Sequence, residues 1–166
     1  MIRDFVRVLR QQRLWMPREQ WDALVRGEDC LLCAEVEKEE NDFSFLVARL
    51  ETSNLRLVKN QYAPGYCVLL FREHACELHE LSPEKQAALM RDLACAGKAI
   101  AQVFHPDKMN YQLLGNQVPH IHWHIVPRYW GDSAPGRPLD ALTSGMRRLK
   151  PEEYRQTIKK ICEALK

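Results

Sequence analysis

The chain has 166 residues, of which 46% are hydrophobic and 28% are charged, and its formal net charge is +2. That length suits one ordinary domain, and the balance of apolar and charged residues excludes a disordered chain. Basic and acidic residues alternate along most of the sequence, which argues against a nucleic-acid binder. The one basic run is a set of four arginines at helical spacing, which we interpret as the solvated face of a helix: Arg3, Arg7, Arg10 and Arg13.

Neither a secretory signal nor a membrane-spanning segment is expected. Arg3 and Asp4 interrupt the start of the chain, where a signal peptide would need an apolar core. The longest apolar run, residues 66–71, is far too short to cross a bilayer. Six cysteines without a secretory context indicate reduced thiols rather than disulfides. We therefore expect a cytoplasmic protein that does not contact a membrane.

The first half of the chain is predicted to pass from helices to strands. Two short helices are expected, over residues 1–13 and 17–27. Alternating or continuous apolar residues then predict three strands, over residues 43–50, 55–58 and 66–71.

The second half begins with the longest predicted helix. Ser82-Pro83-Glu84 is a typical helix start, and apolar residues recur at helical spacing up to His105-Pro106. Strands are expected over residues 110–114 and 120–126, a loop over 131–140, and a last helix over 151–165. Because helices and strands do not alternate regularly, we predict an α+β fold: an antiparallel sheet with one long helix packed on it and additional helices at both ends.

The most informative stretch is His120-Ile-His-Trp-His-Ile-Val126. Residues two apart in a strand point to the same face, so the three histidines should share one face while Ile121, Trp123 and Ile125 face the core. One such histidine would be explained by structure alone, but three in register indicate chemistry. A simple metal site remains the alternative for the row. The three are His120, His122 and His124.

This pattern, continued by Pro127 and Arg128, resembles the motif of the histidine triad (HIT) superfamily. The resemblance extends from about Cys30 to about Arg128. The loop Gly115-Asn116-Gln117-Val118-Pro119 is similar to that of bacterial members that hydrolyse dinucleoside polyphosphates. The resemblance implies a HIT-like fold and a homodimer. It divides the chain into a helical extension, residues 1–29, and a HIT domain with a C-terminal helix, residues 30–166.

The resemblance assigns the central role to His122, which would attack the α-phosphorus and form a nucleotidyl-histidine intermediate. A neutral imidazole can do this without a metal if an acceptor holds its other N–H. His124 would protonate the leaving group, and His120 would complete the catalytic row. Asn116 and Gln117 would hold the phosphates, although both could be plain turn residues. A histidine rather than a glutamine at position 124 favours hydrolases over nucleotidyltransferases.

A second cluster suggests zinc. Cys30 and Cys33 form a Cys-x-x-Cys pair, which redox proteins share, but no βαβ unit accompanies it here. By resemblance to bacterial HIT proteins, His74 and His120 would complete a structural zinc site, which two thiolates and two imidazoles suit. Buried free thiols without metal are the alternative, and His79 is an alternative ligand.

Two departures from the family pattern concern the substrate. Tyr66 occupies a position where most members have a histidine that supports the triad. The residue that would grip the ribose is replaced by Val58, so Lys59 or Asn60 would have to bind substrate instead. We interpret Arg128 as a surface arginine.

These features predict a nucleotide hydrolase. Its expected substrates are dinucleoside polyphosphates such as diadenosine tetraphosphate, followed by nucleoside phosphoramidates and aminoacyl-adenylates. The alternative function is a nucleotide-binding HIT module with little or no turnover, which the tyrosine and the altered ribose position would explain.

Overall fold

The computed structural model describes residues 15–139 and 144–166. In this part of the chain, five strands form one antiparallel sheet in the order β1-β2-β3-β5-β4. They are β1 (Ser44–Arg49), β2 (Ser53–Val58), β3 (Cys67–Phe71), β4 (Lys108–Leu113) and β5 (His122–Arg128). The helices include α1 (Arg18–Val25), α2 (Leu31–Glu35), α3 (Pro83–Phe104) and α4 (Pro151–Ala164). The predicted α+β architecture is confirmed.

The long helix α3 begins and ends where the sequence indicates. The Ser82 side chain accepts a hydrogen bond from the Lys85 amide at 3.3 Å, and the helix stops at His105, which has φ 49°. Its buried face packs against the sheet through large aliphatic side chains, including Leu89, Leu93 and Ile100. Each such burial stabilises the fold by roughly 2 kcal/mol. Helix α4 extends the same core with Tyr154 and Ile161.

The two faces of the sheet have different roles because side chains alternate along each strand. Leu57, Leu69 and Ile125 face α3 and are fully buried in the main core. Their neighbours Arg56 on β2 and His124 on β5 lie on the opposite face. That opposite face therefore carries the polar groups from which a site can be built.

Residues 51–53 and α3 are joined by a buried carboxylate. Asp92 accepts hydrogen bonds from the Glu51 and Thr52 amides at 3.1 and 2.8 Å, and from the Thr52 and Ser53 hydroxyls at 2.9 and 2.7 Å. Replacing it with alanine leaves four donors without their acceptor. We expect Asp92→Ala to lower the free energy of unfolding by about 3 kcal/mol in urea denaturation.

The exposed neighbour Arg91 provides the control for this prediction. Its ion pair with Glu51 spans 3.1 Å, and both side chains are more than half exposed. Arg91→Ala should therefore change the free energy of unfolding by less than about 1 kcal/mol. Equal losses from the two variants would show that the carboxylate does not hold this turn.

The row of three histidines differs from the prediction at its first member. Strand β5 begins at His122, so the predicted strand start at residue 120 is wrong. The His120 amide donates to the Val118 carbonyl at 2.9 Å in a local turn, and Pro119 has no amide for strand pairing. The His120 ring is fully buried elsewhere, beside Cys30.

The arginine that ends β5 is also placed differently from the prediction. Arg128 is not a surface residue: its side chain is only 12% exposed and pairs with Asp132 at 2.6 Å. It also donates to Asn110 Oδ1 and to the carbonyls of Ala134 and Arg137, at 2.7, 2.7 and 2.8 Å. Arg128 therefore fixes the loop that follows the strand.

The structure does not test every sequence prediction. The helix predicted over residues 1–13 lies outside the described residues. The division into residues 1–29 and 30–166 stays a prediction. Among residues 15–139 and 144–166, no helix combines the length and apolar composition that a bilayer-spanning segment requires.

Candidate functional site

Strand β5 presents His122 and His124 side by side on the face opposite α3. In the sheet, His122 pairs with Leu70 of β3, and His124 pairs with Val68 of β3 and Gln112 of β4. The centroids of the two imidazole rings are 5.1 Å apart and the rings are nearly perpendicular. Both histidines line one cavity of about 250 Å³.

A backbone contact determines which nitrogen of His122 is free. Its Nδ1 lies 2.7 Å from the carbonyl oxygen of His120. Because a carbonyl can only accept, Nδ1 must carry the proton, and Nε2 keeps its lone pair. Burial lowers the pKa of His122 from its ordinary value, so the ring is neutral near pH 7. His122 therefore offers an unprotonated nitrogen that can act as a nucleophile.

The second imidazole is held by Tyr66. The Tyr66 hydroxyl lies 2.6 Å from Nδ1 of His124. Burial raises the pKa of Tyr66, so its hydroxyl stays protonated, and burial lowers the pKa of His124 to about 4. At neutral pH the pair consists of a phenol and an uncharged imidazole, whose Nε2 is the nitrogen not engaged by Tyr66.

The walls of the histidine cavity are mostly apolar. Helix α2 and strands β2 and β3 supply aliphatic side chains, and residue 43 adds a phenyl ring. The polar side chains expose little of their surface to the cavity, as in many small-molecule sites. The apolar residues are Leu31, Leu32, Phe43, Val58, Val68 and Leu70, and the polar ones besides the histidines and Tyr66 are Glu35, Asn41, Ser44 and Arg56.

A second cavity, of about 310 Å³, also borders His124. Its wall includes Asn60 and Gln112, and the buried Nε2 of Gln112 has no hydrogen-bond partner within the described ranges. His124 and Tyr66 line both cavities. A ligand could therefore extend past His124 from one cavity into the other.

The predicted substrate-binding residues are dispersed. Asn60 lines the second cavity, where its Oδ1 accepts from the Arg147 amide at 2.9 Å. Lys59 points elsewhere and forms a 2.6 Å ion pair with Glu40. Asn116 and Gln117 are exposed and are not among the described residues that line either histidine cavity. The substrate-binding roles of all four stay predictions.

Sequence reasoning missed Arg56, Asn41 and Gln112. The signal for Arg56 is a lone arginine in the otherwise apolar run of residues 55–58, where a charge requires a reason. No comparable pattern marks Asn41 or Gln112, because exposed loops and edge strands commonly carry amides.

The predicted metal ligands do come together. The ligand atoms of Cys30, Cys33, His74 and His120 all lie within 4.8 Å of one another. Sγ of Cys33 is 3.3 Å from Nδ1 of His74 and 3.4 Å from Nδ1 of His120, and Sγ of Cys30 is 3.5 Å from the latter. Such a group could hold a metal ion.

Both imidazoles of this cluster are oriented for coordination through Nδ1. The Nε2 of His120 lies 2.8 Å from the Phe71 carbonyl, and the Nε2 of His74 lies 3.1 Å from the Val25 carbonyl. These N–H groups donate outward, so the lone pair of each Nδ1 faces the thiols. Carbonyl partners of this kind commonly orient metal-binding histidines.

A tight turn after α1 brings the cysteines to this place. Gly27 has φ +80°, and a Cβ there would come within 3.1 Å of the His74 ring. Cys30 then occupies the N-cap position of α2, without a side-chain capping hydrogen bond. Cys76 lies beside the cluster, with its Sγ 3.9 Å from Nε2 of His74. His79, the alternative ligand, is exposed and outside the four-residue group.

The sequence model of the HIT domain family matches residues 39–131, more than half of the chain. Adenosine 5'-monophosphoramidase hnt1 of Schizosaccharomyces pombe is 32% identical over an alignment of 71 residues, and the match covers 39% of this chain and 49% of that protein. The chain thus spans about half the length of this relative.

Solved structures of histidine triad proteins have a similar fold. A histidine triad protein from Bradyrhizobium japonicum superposes with a TM-score of 0.69 at 26% identity, covering 75% of this chain and 92% of that one. A histidine triad protein from Marinobacter aquaeolei gives a TM-score of 0.67 at 25% identity, with coverages of 74% and 88%. The matched residues contain β5 with its paired imidazoles, and the chain therefore belongs to the HIT domain family.

Proposed function

We propose that the protein hydrolyses phosphoramidate or phosphoanhydride bonds at the α-phosphorus of nucleotides. The observation that carries this proposal is the free Nε2 of His122, unprotonated and beside His124 in a cavity. Membership of the HIT family and the similarity to an adenosine 5'-monophosphoramidase support the same class of reaction.

The first step is attack by Nε2 of His122 on the α-phosphorus. The bond from phosphorus to the leaving nitrogen or oxygen breaks, and a nucleotidyl-histidine forms. His124 acts as the general acid in its doubly protonated form, which the negative charge of the bound phosphate favours. Its Nδ1–H donates to the Tyr66 hydroxyl, and the proton on Nε2 passes to the leaving group, so that a neutral imidazole remains. The His120 carbonyl stabilises the positive charge that develops on the His122 ring through the Nδ1–H contact.

Water completes the reaction. It attacks phosphorus and gives a proton to the now unprotonated Nε2 of His124. The bond between phosphorus and His122 breaks, and a nucleoside monophosphate leaves. Every proton is returned, so the cycle requires no metal or other cofactor.

Within this class, phosphoramidates have the support of the matched relative, whereas dinucleoside polyphosphates have the support of the loop at residues 115–119. A nucleotide-binding module with little turnover is the second candidate. It is favoured by one observation, namely that Tyr66 stands at the position where a histidine is expected to support the triad.

We further propose that the cluster of Cys30, Cys33, His74 and His120 binds a structural zinc ion. A tetrahedral zinc site with both ligand types places sulfur and nitrogen roughly 3.5 Å apart. The observed separations of 3.3 to 3.5 Å fit that geometry. Zinc would also offset the cost of ionising a thiol, since burial raises the pKa of Cys33 to about 11.

A homodimer, a cytoplasmic location and a small-molecule nucleotide as the binding partner are further parts of this proposal. They follow from the family resemblance and from the content of thiols.

Incubation with a panel of nucleotide conjugates tests the function. The panel contains adenosine 5'-phosphoramidate, a lysine phosphoramidate of adenosine monophosphate and diadenosine tetraphosphate. We expect release of nucleoside monophosphate and, after rapid acid quenching, a nucleotidyl adduct on the peptide that contains His122. Saturable binding without product would instead favour the binding module, and neither binding nor product would contradict both.

The role of Tyr66 gives a separate prediction. Tyr66→Phe removes the hydroxyl that orients His124, so we expect kcat to fall by about tenfold to a hundredfold with little change in KM. Tyr66→His should restore most of the loss, because an imidazole can also engage Nδ1 of His124.

The control for this prediction is Tyr129→Phe. That hydroxyl donates to the Pro64 carbonyl at 2.9 Å and is outside the described residues that line either histidine cavity. It should leave kcat unchanged. A Tyr66→Phe enzyme with the kcat of the parent would show that the hydroxyl has no part in catalysis.

A further inference from the structure

The histidine cavity contains a buried cation that the proposed reaction does not use. Arg56 lies on β2, is only 2% exposed, and lines the cavity together with His122 and His124. Arginine is rarely buried to this extent unless it is paired. Its presence among apolar walls therefore calls for a partner.

The chain itself satisfies only part of the guanidinium. Nε donates to the Ser44 hydroxyl at 2.9 Å, and Nη1 donates to the carbonyls of Lys38 and Val36 at 2.7 and 3.3 Å. The buried Nη2 has no hydrogen-bond partner among residues 15–139 and 144–166. A buried charged donor without an acceptor is costly, so an acceptor supplied by a ligand is favoured.

The nearest carboxylate does not fill this role. Glu35 also lines the cavity, but its Oε1 is 2.6 Å from Nζ of Lys38. The partners of Arg56 in the described residues are neutral oxygens. The guanidinium thus keeps both its charge and one unused donor. That donor is buried at the cavity wall, and a ligand reaches it only when the side chains that cover it move aside.

The sheet register gives the distance to the catalytic pair. Arg56 pairs with Val68 of β3, which pairs with His124 of β5, so the three share one row and one face. Two strand spacings separate Arg56 from His124, or about 10 Å. This is comparable to the reach from the phosphorus of a nucleotide to the far edge of its base.

We propose that Arg56 determines the base specificity of this site by donating from Nη2 to a keto oxygen on the base. The inference rests on the proposed function, because it takes a nucleotide with its phosphorus at His122 as the ligand. A keto oxygen accepts this hydrogen bond, whereas an exocyclic amino group would place its own N–H against the donor. Sites built around a buried polar group discriminate strongly against ligands that leave it unpaired.

Inosine and adenosine 5'-monophosphate provide the test, because the first carries a keto oxygen where the second carries an amino group. Calorimetry with the wild-type protein should show that inosine monophosphate binds about tenfold or more tightly. Arg56→Met should bring the two affinities within about threefold by weakening the binding of inosine monophosphate. If Arg56→Met does not fold, Arg56→Lys takes its place. This variant keeps a buried cation but moves the donor, so it should lose most of the preference for inosine monophosphate. Arg91→Ala is the control.

The possible outcomes distinguish failure of the base-specificity proposal from failure of the proposed hydrolase function. Equal wild-type affinities for the two nucleotides, or an equal loss of both in an Arg56 variant that folds, would overturn the specificity role and leave the hydrolase intact. If neither nucleotide binds, while the protein is folded, the proposed function itself fails.

Discussion

His122→Ala is expected to lower kcat for phosphoramidate hydrolysis by at least about a thousandfold, because it removes the atom that forms the bond to phosphorus. The substitution shortens a half-buried side chain at the cavity wall, so folding and nucleotide binding should remain. Steady-state kinetics measures the loss, and the nucleotidyl adduct should disappear with it.

A matched control is His79→Ala, which removes an exposed imidazole outside the cavity and should leave kcat unchanged. His124→Ala gives a diagnostic contrast. If His124 only protonates the leaving group, this variant should still form the adduct with substrates whose leaving group needs no proton. If the kcat of His122→Ala is within tenfold of the parent value, His122 is not the nucleophile.

Loss of the metal ligands should have the largest effect on stability. Cys30→Ser combined with Cys33→Ser removes both thiolates, and we expect the free energy of unfolding to fall on the order of 5 kcal/mol. For a domain of this size, that corresponds to a decrease in Tm of roughly 10 to 20 °C. Elemental analysis of the purified parent protein should give one zinc per chain.

Cys95→Ser is the control, since that thiol is exposed and lies outside the four-residue cluster. It should change neither Tm nor metal content. A parent protein that was never exposed to chelator, contains no zinc and has the same Tm as the double variant would contradict the metal site.

Strand periodicity explains why much of the site was predictable. Alternation in β5 correctly places His122 and His124 together on one face, with Ile121 and Ile125 buried on the other. Spacing alone could not place His120, because the local turn at Pro119 takes its ring out of the row, next to the thiols of Cys30 and Cys33. The ligand set that the family resemblance implies nevertheless places this histidine with Cys30, and the two lie together in the structure.

Residues outside regular strands were harder to predict. Lys59 and Asn60 are adjacent in the chain, yet they line different cavities, because their direction depends on the turn after β2. Arg56 was overlooked because a buried arginine contradicts the usual partition of charge to the surface. Its acceptors are backbone carbonyls of residues 36 and 38, which no side-chain pattern reveals.

His120 connects two parts of the molecule through a single residue. Its ring lies against the thiols, and its carbonyl oxygen holds the proton of His122. A displacement of His120 that moves its backbone would remove the acceptor that keeps the proton of His122 on Nδ1. If the proposed zinc ion binds this ring, the metal and the proposed nucleophile are linked through one residue, and loss of the metal would lower hydrolysis before the domain unfolds.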